Sequence, residues 1–209
     1  MIRIITVDDH AVVRRGLKQI IEEESDMQVV NEAGNGRDAI FVIRQTECDV
    51  VILDISLPGI SGIEVLHHIR HEYPDLPVLI MSMHEEEQYA FRVLKAGASG
   101  YLMKDSIPEE LINAIRRIIT GGKYISPSFS EALILKRESS GMPLHEKLSD
   151  REFQIMCMIA RGKALKDIGA VLCISGKTVS TYRARILEKM KMKTNAEIVS
   201  YALKHKLIT

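Results

Sequence analysis

Five residues in the first half of the chain carry chemistry that their spacing would bring together. They are Asp8 and Asp9 in IITVDDH, Asp54 in VVILDISLPG, Ser82 in VLIMSM and Lys104 in GYLMKD. Each closes or follows a short apolar run. Adjacent carboxylates repel, and three close together resist ionisation unless a cation stands among them. A hard, oxygen-seeking ion answers that need, and Mg²⁺ suits a few carboxylates completed by water. A hydroxyl and an ammonium facing such a carboxylate form a receptacle for a phosphoryl group, whose charge spreads over three equatorial oxygens. Asp54 is then the nucleophile and an aspartyl-phosphate the product. Taken singly each residue says little, since an Asp at a strand end commonly makes a turn and a lone Lys is usually solvated. His10 reads as the start of a helix at the rim of the site rather than as a metal ligand.

The elements needed to gather these groups are legible. Residues 2–7, 28–31, 50–53, 78–81 and 100–103 are short, apolar and flanked by breakers, as parallel strands covered on both faces are. Between them, residues 11–24, 36–45, 62–71, 87–96 and 108–120 show helical periodicity, the last with Pro108 near its start and Gly121 after its end. Five strand–helix repeats predict a doubly wound sheet with right-handed crossovers. Its chemistry belongs beyond the carboxyl ends of the strands, where the five residues stand.

At 209 residues, 46% hydrophobic and 27% charged, the chain has material for one large or two small cores. No apolar run has membrane-helix length, and acids interrupt the N-terminus before a signal sequence develops. Cys48, Cys157 and Cys173 lack CxxC spacing and read as small hydrophobes in a reducing cytosol. The net charge of zero conceals an asymmetry. Lys and Arg number 12 against 20 Asp and Glu in residues 1–120, a net of −8, and 13 against 5 in residues 147–209, a net of +8. An acidic front and a basic back predict two domains with different partners, the second suited to a polyanion. Residues 121–146, rich in Gly, Ser and Pro, read as a linker with a short helix at 128–136.

In order and spacing the first 120 residues resemble the receiver domain of two-component response regulators. The matching features are DDH at 8–10, LDISLPGISG at 53–62, Ser82 before an acidic helix start, GASGY at 97–101 and Lys104. The resemblance implies a five-stranded, flavodoxin-like α/β fold and phosphorylation of Asp54 by a sensor histidine kinase. It implies Mg²⁺ held by Asp9, Asp54 and the Ser56 carbonyl, with Asp8 acting through water. Ser82 and Lys104 would bind the phosphoryl oxygens, and Tyr101 would be the aromatic switch that moves inward with Ser82. Ser56 and His84 fall where the family tunes dephosphorylation.

After residue 147 only helices are expected, at 149–160, 165–172, 176–190 and 195–204. Ser149 with Glu152 forms a capping-box pattern. The tight passage from the second helix through Cys173–Ile174–Ser175 into the third suggests helix-turn-helix, whose second member enters the DNA major groove. At about 100° per residue, Val179, Ile186 and Met190 share one face of that helix. Lys177, Thr181, Ala184 and Glu188 lie opposite, with Ser180 and Arg185 at the flanks. LSDRE, ARGK, the DIG…TV…R core and KM.M.TNAE resemble the LuxR-type four-helix DNA-binding domain, so the whole chain resembles a NarL/FixJ-type regulator. SGKTVSTYRARILEKM is most similar to the GacA/UvrY-like members.

Several positions depart from the common family pattern, so base reading does not transfer. Lys177, Tyr182, Arg185 and Lys189 are expected mainly on phosphates, with Thr178 beside them. Ser180, Thr181 and Ala184 should approach base edges, and Arg183 should lie near the packing face and snorkel to the DNA backbone. The resemblance implies a dimer contact on the last helix at Glu197, Ile198 and Tyr201. It also implies promoter DNA as ligand, homodimerisation on activation, a cytoplasmic location, and no membrane partner; RNA polymerase stays open as a further partner. Two rival classes are an Asp-nucleophile phosphatase and a scaffold indifferent to phosphate. Ser56 stands where the phosphatase would need an acid/base Asp, and the intact five-residue site speaks against the scaffold.

Overall fold

A computed structural model describes residues 1–83, 86–106, 108–125, 143–205 and 207–208. His84 and the short helix expected at 128–136 lie outside these residues. The chain divides into two compact units, Met1–Arg137 and Glu138–Thr209.

The first unit alternates β1 (Ile2–Val7), α1 (Ala11–Glu22), β2 (Met27–Ala33), α2 (Gly36–Gln45), β3 (Val50–Asp54), α3 (Gly62–Glu72), β4 (Val78–Ser82), α4 (Glu86–Lys95), β5 (Gly100–Met103) and α5 (Pro108–Ile119). Its five strands are all parallel, in the order β2-β1-β3-β4-β5. This is the doubly wound, flavodoxin-like order, with its switch point between β1 and β3. Alternation along the strands serves two cores. Ile4, Val50, Ile52, Leu79 and Leu102 meet Leu17 and Ile21 of α1 and Leu111, Ile115 and Ile118 of α5. Ile5, Val51, Leu53, Ile80 and Tyr101 are buried too, and by the period of two they face the other way.

Local chemistry sets the helix starts. Asn35 caps α2 by accepting from the Asp38 N–H, and Ser61 with Glu64 closes a capping box on α3. After α5 the chain turns at Gly121 (φ 81°) and returns to the sheet edge, where Tyr124 bridges Gly100. The Tyr101 N–H donates to the Tyr124 carbonyl, and the Tyr124 N–H donates to the Ser99 carbonyl, both at 3.0 Å. A Cβ at Gly100 would stand 2.9 Å from that Tyr124 oxygen, so only glycine admits the returning chain.

The second unit opens with a 3₁₀ turn, Leu144–Lys147, which the helical periodicity did not reveal. Then follow α6 (Asp150–Ala160), α7 (Leu165–Val171), α8 (Gly176–Met190) and α9 (Asn195–Lys204). Capping boxes start α6 (Ser149, Glu152) and α9 (Thr194, Glu197). Phe153, Met156, Ile168, Leu172, Val179, Ile186, Met190, Ile198 and Ala202 are buried and form its core. No helix among the described residues is long and apolar enough to cross a membrane.

Candidate functional site

Three strand ends supply the acidic site. Asp54 closes β3, and Asp8 and Asp9 follow β1 directly, while Lys104 follows β5. Asp8 and Asp54 are each 2% exposed. The Lys104 ammonium, also deeply buried, lies 2.6 Å from Asp8 Oδ2 and 2.7 Å from Asp54 Oδ2. The other oxygen of each acid is held by backbone. The His10 N–H donates to Asp8 Oδ1 at 2.8 Å, and the Ser56 N–H donates to Asp54 Oδ1 at 3.0 Å. Arg14, which the sequence did not single out, donates to the Asp8 carbonyl at 2.6 Å and fixes the turn carrying both acids. Gly62 lies so close beneath β3 that a Cβ there would overlap the Asp54 carbonyl oxygen.

Burial pushes the Asp54 carboxyl above its ordinary range, opposed by the hydrogen bond and charge of Lys104. Burial disfavours the Lys104 ammonium, but its bonds to Asp54 and Asp8 outweigh that and raise it overall. Lys104 therefore stays charged and holds together two acids that would otherwise repel. Ligand oxygens of Asp8, Asp9 and Asp54, with a ring nitrogen of His10, lie within 4.8 Å of one another. Three carboxylates against one ammonium leave net negative charge among hard donors, a set that fits a divalent cation such as Mg²⁺.

The remaining expected groups are placed as follows. Ser82 is fully buried at the end of β4, and its carbonyl accepts the Lys104 N–H at 2.9 Å. Ser56 is exposed on the loop leaving Asp54. His10 does start α1, without a side-chain cap, and its Nδ1 lies 2.7 Å from Asp9 Oδ1 and 3.3 Å from Asp8 Oδ1. The ring thus leans on the acids as well as marking the helix start. Tyr101, the expected aromatic switch, is buried in β5, 1% exposed.

In the second unit α7 and α8 form the helix-turn-helix. Its turn is tight because Gly169 leaves room for it: a Cβ there would meet the Ile174 carbonyl oxygen at 2.8 Å. Cys173 takes the left-handed conformation within it (φ 52°), and Ser175 caps α8 by accepting from the Thr178 N–H. Cys173 is exposed and Cys157 buried, while burial drives the half-buried Cys48 thiol up to about 11. The reading of all three as small hydrophobes fails at Cys173.

Lys177, Thr178, Ser180, Thr181, Ala184 and Arg185 are exposed along α8, and Tyr182 is half-buried. Lys177, Thr178, Thr181, Tyr182 and Arg185 line, with Ser175, a shallow groove of about 310 Å³. The Ser180 and Thr181 hydroxyls donate back to the Gly176 and Lys177 carbonyls, leaving lone pairs outward.

Two side chains expected on the DNA backbone make contacts within the unit. Lys189, assigned to DNA phosphate, has its ammonium 2.6 Å from Glu152 Oε2 on α6. Arg183 points to a protein partner as well, its Nε donating to Asn195 Oδ1 at 2.6 Å. The three residues expected at a dimer contact are all engaged within their own unit. Ile198 is fully buried within its own unit and unavailable to a second copy. Glu197 closes the cap of α9, accepting from the Lys193 and Thr194 N–H groups. The Tyr201 hydroxyl meets His145 Nδ1 at 3.0 Å. The exposed positions of α9 are Asn195, Ala196, Glu197, Ser200, Leu203 and Lys204, with Leu203 54% exposed.

Residues 4–116 match the family described as response regulator receiver domain, and residues 146–202 match bacterial regulatory proteins of the luxR family. The chain is 36% identical to response regulator GacA of Pseudomonas aeruginosa over 211 residues, covering all of this chain and 98% of that protein. It is 36% identical to response regulator UvrY of Escherichia coli over 210 residues, covering 99% of this chain and 96% of that one. Among solved structures it resembles response regulator ChrA of a heme-sensing two-component system. That match is 31% identical with a TM-score of 0.55, over 99% of this chain and 98% of the other.

Proposed function

The chain belongs to the two-component response regulators that join a receiver domain to a LuxR-type DNA-binding domain, and on that premise we propose that Asp54 is its phosphoacceptor. It is a DNA-binding transcription regulator rather than an enzyme. One observation carries the assignment of Asp54. This carboxylate ends a central strand, is buried, and is the one that shares the Lys104 ammonium with Asp8.

In the proposed step a carboxylate oxygen of Asp54 attacks the phosphorus of a kinase phosphohistidine. The O–P bond forms as the N–P bond breaks, and the imidazole leaves and takes up a proton from water. The Ser56 N–H, already on Asp54 Oδ1, holds the carboxylate in plane. Lys104 is the group that must move, from Asp54 Oδ2 to an oxygen of the incoming phosphoryl group. The Ser82 hydroxyl, at the end of the neighbouring strand, takes another. Asp8, Asp9 and Asp54 would hold Mg²⁺, which when bound supplies positive charge against the phosphoryl oxygens. The output of this step is a rearrangement of the β4–β5 ends around Ser82 and Lys104, with the buried Tyr101 as the aromatic that moves with Ser82.

Phosphorylation then favours pairing of two chains on promoter DNA in the cytoplasm, since two linked reading heads on two half-sites bind far more tightly than one. Lys177 and Arg185 contact phosphates, and Ser180, Thr181 and Ala184 face base edges, the two hydroxyls offering lone pairs to base amino groups. Incubation with Mg²⁺ and a small-molecule phosphodonor tests the acceptor directly. Wild type takes up label and Asp54→Asn takes up none; label persisting on the variant would remove Asp54 from this role.

A further inference from the structure

The recognition helix is gripped from both flanks by polar contacts, and both use side chains that the sequence offers to DNA. Around α8, Val179, Ile186 and Met190 form the buried seam. Six residues apart, Arg183 and Lys189 lie about 120° apart around the axis and so bracket that seam. Arg183 reaches Asn195, at the start of α9, and Lys189 reaches Glu152, in the first turn of α6. The two contacts differ in kind. Arg183–Asn195 is an exposed hydrogen bond, whereas the Glu152 side chain is 4% exposed and that of Lys189 is 42% exposed.

Glu152 is also the capping-box acid of α6, its Oε2 accepting the Ser149 N–H at 2.7 Å. One oxygen therefore fixes a helix start and the last turn of the recognition helix together. The residue before it repeats the theme. Arg151 is buried and donates to the Leu172 carbonyl at 3.1 Å, where α7 enters the turn that precedes α8. Consecutive residues of α6 thus hold the chain entering α8 and the end of α8.

An ion pair with one partner buried is a poor source of net stability, because desolvation of the buried acid offsets much of the Coulomb attraction. What it supplies is direction. An apolar seam tolerates small rotations about the helix axis, whereas a 2.6 Å charge-assisted bond does not. A base edge must be met within a few tenths of an ångström, so roll of α8 governs which bases Ser180, Thr181 and Ala184 meet.

The geometry points to Glu152 and Lys189 as positioning residues that set the roll of the recognition helix, and hence operator discrimination, without touching DNA. This rests on the DNA-binding reading above and deepens it. It also separates two roles for Lys189 that differ in what salt does. A phosphate contact contributes to every sequence alike and to the salt slope. A positioning contact contributes to the preferred sequence and leaves the slope alone.

The test uses the full-length chain and a duplex recovered by selecting wild type against randomised DNA, beside a scrambled duplex of equal length. Lys189→Met keeps the aliphatic stem and removes the charge; Glu152→Gln keeps a cap acceptor and removes the partner. Each is expected to weaken the selected duplex roughly tenfold, the scale of one wrong base pair. Binding to the scrambled duplex should stay within about twofold and the salt slope should be unchanged. Lys189→Arg should restore most of the preference. Lys177→Met, by contrast, should weaken both duplexes and lower the slope by about one.

A Lys189→Met chain that loses both duplexes equally with a reduced slope would make Lys189 a phosphate contact and end the proposal. Unchanged discrimination would end it too. Glu152→Gln guards against misreading a destabilised Lys189 variant, since thermal melting of both separates fraction folded from affinity. Wild type that recovers no preferred duplex would instead defeat the DNA reading on which all this stands.

Discussion

The two units use charge in opposite ways. In the first, acids and one lysine are drawn inside, and their burial makes the chemistry: Asp8, Asp54 and Lys104 are nearly inaccessible and mutually dependent. In the second, the working face of α8 is small, polar and exposed, and the buried charges lie behind it. A reaction centre needs reactants held against one another in low dielectric. A reading surface needs its side chains free and the helix beneath them still. Buried polar contacts therefore are the site in one unit and the mounting of the site in the other.

That contrast breaks most visibly where backbone meets site. Gly62→Ala places a methyl group on the Asp54 carbonyl oxygen, which has nowhere to move because β3 is the central strand. The first unit should lose about 3 kcal/mol, and phosphate uptake should fall with it even at temperatures where the chain is folded. Urea unfolding followed by circular dichroism, beside a labelling assay, checks both. Normal labelling on a destabilised chain would show that the acceptor tolerates displacement, contrary to the picture of a tightly mounted centre.

Next in size is Lys104→Met. It leaves two buried carboxylates facing each other, and breaking such an arrangement should cost about 3 kcal/mol in a metal chelator. Mg²⁺ should recover most of that loss, and its affinity should rise, because the cation no longer competes with an ammonium. Thermal melts with and without Mg²⁺ give both quantities. Equal melting points for variant and wild type in chelator would mean that the lysine is not the counter-charge of the cluster.

The same contrast explains what was legible in advance. Asp8, Asp9, Asp54, Ser82 and Lys104 could be read from sequence because a parallel sheet converts position along the chain into position in space. Strand ends on one side of a doubly wound sheet converge whatever the side chains are. The helical unit has no such rule. Helical periodicity placed Val179, Ile186 and Met190 correctly on the buried face of α8, but it could not say what claims a flank. Glu152, which claims Lys189, stands 37 residues earlier, and its partner is visible only once α6 and α8 are packed. Ile198 was misassigned for the same reason. The helix was expected where it stands, but its inward face is set by neighbours, and Ile198 points into them.

The smallest effect probes the mounting rather than the centre. Glu152 feels burial, which raises its pKa, and the bonds and charge of Lys189 and Ser149, which lower it; the balance falls below the ordinary 4.5. A carboxylate depressed by folding stabilises the native state above its unfolded value, and that stability disappears as pH falls through the folded value. Wild type should therefore exceed Glu152→Gln in stability of the second unit at pH 7 by about 1.5 kcal/mol, the worth of a hydrogen bond to a charged group. The gap should begin to shrink below pH 4.5 and close at lower pH, once the acid is protonated in both states. Hydrogen exchange at the Ile186 and Met190 amides reads this in the intact chain, because both lie in α8 close to Lys189. A gap equally wide at pH 3 and pH 7 would show that shape, not charge, holds the recognition helix. The two units would then differ less than their ion pairs imply.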